Sequence, residues 1–328
     1  MSNVERAPAT QLLTRTDEPA TELLEPREVP LGGPRAMLVR RSLPNRNRRM
    51  VGAWCFVDTY GPTDIVRQAG MQVPPHPHTG LQTVSWLLDG EVWHQDSVGS
   101  RQLVRPGELN LMTAGYGVAH SEESLDRSPA LHGVQLWVAL PAEYRDSRPH
   151  FEHHAELPTL ADADGSVTVI MGRFEQAVSP ARTYSPLIGA DVSVTAGARL
   201  RLALEPDFEH AVLALSKPIT VDGQRVPVGS MRYLNHGRRE VLLEATDPAR
   251  ALLIGGVPFD ERLMMWWNFI GPGHDEIVDA RTTWERERTS GEPGGRFGTV
   301  PGYGGPALPA PSIPNARLRA TGRYRRRT

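Results

Sequence analysis

Pro74-Pro75-His76-Pro77-His78-Thr79-Gly80 is a stiff run in which three prolines hold the chain extended and set two histidines two residues apart. On an extended chain, residues i and i+2 point to one face, so the imidazoles of His76 and His78 are presented together. A second pair of ligand-type residues at the same spacing follows in His120-Ser121-Glu122. Between the pairs lie Leu88-Asp89-Gly90 and Arg105-Pro106-Gly107-Glu108, turn signals that separate short apolar stretches. Strands joined by such turns can close into a barrel that directs both pairs inward. The expectation is an all-β fold around three nitrogens and one carboxylate.

Such a set suits one divalent first-row metal ion with open positions for water, oxygen or substrate. Cys55 is the one cysteine of the chain, which excludes a thiolate zinc cluster and an intramolecular disulfide. The ligand types leave iron, manganese, nickel, copper, cobalt and catalytic zinc open. Of the other histidines, His150, His153 and His154 stand among charged and proline residues and are expected to be solvent-exposed. His132, His210, His236 and His274 are isolated and are read as hydrogen-bonded structural residues.

Outward from these motifs, 31 glycines and 29 prolines fall between short apolar stretches rather than in one block. Strands are predicted at 36–41, 83–88, 92–95, 109–112, 132–140, 167–171, 191–196, 198–204, 210–215, 231–234, 239–244 and 250–254. In one of them Leu200, Leu202 and Leu204 share a face, as a half-buried strand requires. One helix is predicted over 275–287, where Ile277, Ala280, Arg281 and Trp284 fall at helical spacing and Asp275 and Glu276 sit at the positive end of the dipole. The stretch Arg105 to Met112 resembles Val226 to Tyr233, each followed by a turn glycine, Gly115 or Gly237. That repeat points to two similar β-barrels in tandem, meeting between Pro149 and Pro186.

The expected organisation is a flexible segment over 1–30, a metal-binding barrel over 31–150 and a second barrel over 151–288 that the helix closes. Residues 289–328 turn to Gly, Pro, Ser and Arg with few large apolar groups, a composition expected to stay disordered. Arg317, Arg319, Arg323 and Arg325 to Arg327 lack interleaved aromatics and are read as a solvated tail. Lys plus Arg is 36 against 38 for Asp plus Glu, so no global field attracts nucleic acid or an anionic membrane. The stretch from Met1 to about Glu28 carries Glu5, Asp17, Glu18, Glu22 and Glu25 and no apolar run of the length a secretory signal or membrane span needs. A soluble, cytoplasmic protein is expected.

The chain resembles the pirin family, a branch of the cupin superfamily. The resemblance rests on Pro75-His76-Pro77-His78-Thr79-Gly80-Leu81-Gln82-Thr83-Val84-Ser85-Trp86-Leu87-Leu88-Asp89-Gly90, on His94-Gln95-Asp96, and on the stretches Pro106 to Leu109, Met112 to Glu122 and His132 to Val138. Leu253 to Phe259 and Trp266 to Gly271 extend it, so that it covers about Gly33 to Glu287. It implies two tandem cupin barrels, with one metal ion, usually iron(II), held in the first by His76, His78, His120 and Glu122. The second barrel is expected to carry no ligands. Many members have Glu where this chain has Gln82, a departure expected to alter the hydrogen bonding around the ligands.

Some pirin-like proteins are similar in activity to quercetin 2,3-dioxygenase, which opens the central ring of a flavonol with O2 and releases carbon monoxide. This implies a small aromatic substrate, with Glu122 as ligand and as acceptor of the hydroxyl proton. Other members resemble redox-responsive regulators that bind a transcription factor or a metabolic enzyme, which implies a protein partner instead. Trp86, Met112 and Trp137 are the residues expected beside the metal if an aromatic pocket exists there, and core residues otherwise.

Overall fold

The computed structural model describes residues 7–13, 21–31, 37–65, 70–125, 130–290, 294–314 and 317–318. The N-terminal segment gives β1 (Gln11–Leu13), β2 (Thr21–Leu24) and β3 (Arg27–Pro30). Next come β4 (Leu38–Leu43), β5 (Trp54–Asp64), β6 (Gln72–His78), β7 (Leu81–Asp89), β8 (Val92–Asp96) and β9 (Arg101–Val104). The first half ends with β10 (Leu109–Thr113), β11 (Val118–Ser124), β12 (Ala130–Ala139) and β13 (His150–His154).

The second half opens with β14 (Thr159–Ala161), β15 (Gly165–Phe174), β16 (Ala177–Val178), β17 (Leu187–Val194), β18 (Arg199–Ala203) and β19 (Glu209–Ala214). It continues through β20 (Ile219–Val221), β21 (Gln224–Val226), β22 (Met231–Leu234), β23 (Glu240–Glu244) and β24 (Ala249–Gly256). The closing elements are β25 (Leu263–Trp266), β26 (Phe269–Gly271) and the helix α1 (His274–Ser290).

Among the described residues these strands make two barrels of one design. In the first, a sheet ordered β13-β10-β7-β12-β5-β4-β3 faces a smaller one ordered β6-β11-β8-β9. In the second, β14-β15-β17-β24-β19-β22-β2 faces β18-β23-β20-β21. The two large sheets stack back to back. Val84, Leu111, Val134 and Leu136 of the first pack with Ile170, Leu187, Leu213 and Ile254 of the second in one apolar cluster. Each fully buried side chain of this kind stabilises the fold by about 1.5–3 kcal/mol. Trp86 crosses the same junction and donates its Nε1–H to Asp191 Oδ2 at 2.8 Å.

Three expectations are corrected. Within the N-terminal segment, residues 21–30 form regular structure: β2 pairs with β22 of the second barrel and β3 with β4 of the first. Val29 and Leu24 are buried, which holds the segment down. The first barrel also extends past 150, because β13 pairs with β10. His150, His153 and His154 are therefore half-buried on a strand rather than exposed in a linker.

The third correction concerns 294–314, which packs against the protein. Phe297, Val300 and Ala310 seat against Trp266, Phe269 and Trp284. Neighbouring carboxylates take its backbone N–H groups, Glu287 at Phe297 (2.9 Å) and Glu285 at Ala310 (2.7 Å). Arg319, Arg323 and Arg325 to Arg327 lie outside the described residues. No helix among the described residues is long and apolar enough to cross a membrane.

Candidate metal centre

β6 and β11 run antiparallel with His76 opposite His120, and the register then shifts so that Glu122 lies opposite Val73. On the other side of β11, β8 places Asp96 opposite His120 and His94 opposite Glu122. Side-chain alternation turns His76, His78 and His120 into the barrel, where each is fully buried. One nitrogen from each of the three lies within 4.8 Å of the others. The structure thus brings together three of the four predicted ligands.

The hydrogen bonds fix which nitrogen His120 and His76 present. Asp96 Oδ1 accepts the backbone N–H groups of Val98 (3.1 Å) and Ser100 (2.9 Å), which anchors the carboxylate. Its Oδ2 accepts Nε2–H of His94 at 3.0 Å, leaving His94 Nδ1 as an acceptor. His120 Nδ1 lies 3.3 Å from that nitrogen and donates to it, so the lone pair of His120 Nε2 points into the site. His76 Nδ1 donates to the Pro74 carbonyl at 2.9 Å, which likewise frees its Nε2, a buried atom with no hydrogen-bond partner. His78 Nδ1 is buried without a hydrogen-bond partner, beside the backbone of Asn268 in the closing segment.

Electrostatics act in the same direction. Burial first, and then the neighbouring imidazoles, hold His78 and His120 well below the ordinary histidine range, and burial dominates at His76 as well. Neutral imidazole is the ligand form. His78 Nε2 and His120 Nε2 stand 3.1 Å apart. With His120 protonated at Nδ1, and His78 in the same tautomer, two lone pairs face each other, an arrangement that a cation between them resolves. Two nitrogens at right angles around an ion about 2.1 Å away would sit about 3.0 Å apart. These residues fit a divalent metal ion.

Glu122 is buried on the same face of β11, but it is not within the three-histidine cluster. Ser85 Oγ lies 3.3 Å from its Oε1 and 3.0 Å from Gln135 Oε1. One hydroxyl proton cannot serve both acceptors; turning the Gln135 amide satisfies the pair, since its Nε2 then donates to Ser85 Oγ. Tyr60 is raised well above the ordinary phenol range by burial first and by the Glu122 charge second. His94, Asp96, Ser85, Gln135 and Tyr60 all escaped sequence reasoning as site residues. His94-Gln95-Asp96 offered a signal, being a third i, i+2 pair of ligand types.

The walls of the site follow from register. Thr83, Ser85, Gln135 and Trp137 share the metal-facing side of β7 and β12. Trp137 meets His78 edge-on, with ring centroids 5.1 Å apart, and Phe151 stacks on His94 at 4.5 Å. Met112 pairs with both Thr83 and Phe151 and completes this row. Gln82 and Trp86 belong to the opposite face of β7. Gln82 Nε2 donates to Thr113 Oγ1 (3.0 Å) and to the Arg182 carbonyl (3.1 Å), so the expected influence of Gln82 on the ligands gives way to a role at the barrel junction. Trp86, bonded to Asp191, is core and lines no metal-side wall.

Comparison with known proteins agrees with this architecture. Residues 36–138 match the family model described as Pirin, and 189–290 match the Pirin C-terminal cupin domain. A Pseudomonas aeruginosa protein named "Putative quercetin 2,3-dioxygenase" is 43% identical over 288 residues, 88% of this chain and 89% of the relative. A Caulobacter vibrioides protein named "Pirin-like protein" is 36% identical over 260 residues, 76% of this chain and 88% of the relative. The crystal structure of quercetin 2,3-dioxygenase from Acinetobacter baumannii matches with a TM-score of 0.85 and 38% identity, covering 90% of this chain and 96% of that one.

Proposed function

The chain belongs to the pirin family, and from that premise we propose that it is a metal-dependent dioxygenase that cleaves the central ring of a flavonol or similar aromatic with O2. The observation that carries this reading is the convergence of three neutral imidazoles, with His120 oriented through His94 by a carboxylate fixed on loop amides. In this reading His76, His78 and His120 hold one iron(II) ion, and Glu122 joins them from the Ser85 side. When bound, the metal supplies Lewis acidity and a meeting point for substrate and O2.

The remaining work falls to the chain. Trp137, Met112 and Phe151 exclude water and face the planar substrate. Glu122 accepts the proton of the substrate hydroxyl at its carboxylate, and Ser85 steadies that carboxylate. A cytoplasmic setting, where the single thiol of Cys55 stays reduced, belongs to the same reading.

The test is oxygen uptake by protein loaded anaerobically with iron(II) and offered a panel of flavonols, with His120→Ala as control. Uptake with release of carbon monoxide, lost in the variant, is expected. Metal bound in full but no uptake across the panel would displace the enzyme reading in favour of a metal-sensing regulator with a protein partner. Failure to bind any divalent metal would sink both.

A further inference from the structure

The sheet that carries the ligands is covered on its outer face by chain that follows the helix. Side-chain alternation puts His76, His78, His120 and Glu122 inside and leaves Pro75, Pro77, Ala119 and Ser121 outside. Even so, β6 from Val73 onward and all of β11 except Glu123 are buried on both faces. The cover is residues 294–314: Ala119 is 1% exposed, in an apolar cluster with Phe297, Trp284 and Trp266. The matching sheet of the second barrel has its outer face in water. There β18 alternates exposed and buried along its length, Arg199 and Arg201 stand out, and Arg201 pairs with Glu240 of β23.

The covering segment is bonded to the residues next to two ligands. Leu308 N–H donates to the Pro75 carbonyl at 2.8 Å, one residue before His76. The Phe297 carbonyl accepts the Ala119 N–H at 3.1 Å, one residue before His120. The first of these bonds matters most, because β6 is the edge strand of its sheet and Pro74, Pro75 and Pro77 supply no N–H to any ladder. The Pro74 carbonyl is the acceptor that orients His76, so holding Pro75 steadies the peptide beside that acceptor. The close approach of the segment is built in: Gly298 has φ +65°, and a Cβ there would stand 2.9 Å from Ser97 Cβ in the turn after β8. Its other side is tied to α1. Glu287 accepts the N–H groups of Arg296 (2.8 Å) and Phe297 (2.9 Å), and Trp284 Nε1–H donates to the Leu308 carbonyl at 2.9 Å. One helix thus presses both contact points onto β6 and β11.

We propose that residues 294–314 are a strap that positions His76 and His120 through Leu308 and Phe297, and so sets how long the site retains its metal ion. Both residues act from the outer face, through the backbone. The inference rests on the metal-binding part of the function proposed above and not on the flavonol chemistry. Ligands on an edge strand with few ladder bonds are lost when that strand opens locally, and a strap that suppresses the opening slows metal loss.

Full-length protein loaded with cobalt(II) and mixed with excess chelator tests this, with the decay of the cobalt(II) absorption as the readout. Leu308→Pro removes the N–H and should speed metal loss; combined with Glu287→Ala, it should do so by about tenfold or more. Leu308→Ala keeps the N–H and should keep the wild-type rate. Hydrogen exchange of the metal-free protein separates positioning from general loosening. In the double variant the amides of β6 and β11 should exchange faster, and those of β19 and β24 as in the wild type. Metal loss at the wild-type rate in the double variant, equal acceleration by Leu308→Ala, or faster exchange throughout both barrels would each overturn the proposal. Wild-type protein that takes up no cobalt(II) would instead bring down the metal site itself, and the role of the strap with it.

Discussion

The two barrels place the same strands in the same order and fill them with opposite chemistry. The small sheet of the first, β6-β11-β8-β9, carries His76, His78, His120, Glu122, His94 and Asp96 inside. The strands in the same positions of the second, β18-β23-β20, carry Leu200, Leu202, Val241, Leu243, Ile219 and Val221. The large sheets differ in the same way. Ser85, Gln135 and Asp58 form a polar row across β7, β12 and β5, whereas Val212, Leu253 and Ala190 form an apolar one across β19, β24 and β17. One backbone thus supports either a polar centre suited to an ion or a close-packed apolar core. Through the junction the second barrel packs against the back of the wall on which the first barrel builds its site.

The sharpest way to break this contrast is a pair of substitutions on matching strands. His78→Ala should lower metal affinity by more than about 100-fold, since outer partners alone are worth 10–100-fold, as read by metal content after dialysis. Leu202→Ala should leave metal content unchanged and cost about 2–5 kcal/mol in denaturant unfolding. Exchange of these outcomes would mean that the barrels share their roles.

Next in size is a pH effect confined to the second barrel. Burial first, and the Arg238 charge second, hold His210 down at about 4. The unfolded chain takes up this proton near pH 6.5 and the folded chain only near pH 4, so stability is fully present above pH 6.5 and declines as pH falls towards 4. His210→Gln should remove up to about 3 kcal/mol of that decline, measured as the difference between wild-type and variant unfolding across that window.

The smallest expected effect tests the carboxylate behind His94. Asp96→Asn keeps the shape but weakens the pull on Nε2–H, and should reduce metal affinity by about 10–100-fold without a change in fold. An unchanged affinity would show that His120 is oriented without help from Asp96.

Much of this was legible in sequence where periodicity was clean. The i, i+2 spacing found His76, His78 and His120, and the Pro-led repeat found the β21–β22 turn as the counterpart of β9–β10. β5 escaped notice because its first half is buried on both faces, one against the metal-side wall and one against the other barrel, so Trp54 to Tyr60 shows no alternation. β13 escaped because His and Glu at an edge look like a linker until β10 pairs with them. Composition misjudged 294–314, since a segment poor in apolar residues can still be ordered by aromatic surface and carboxylates that others provide.

The threading of β2 bears on how the chain is made. β2 leaves the ribosome before either barrel, yet its partner β22 lies far downstream, with Thr21 and Arg232 separated by 211 positions. The second barrel cannot complete its outer edge from its own residues, and the first cannot draw β2 in. During synthesis β2 waits without its partner until β22 (Met231–Leu234) has emerged, so this seam closes only after the first barrel and most of the second have been made.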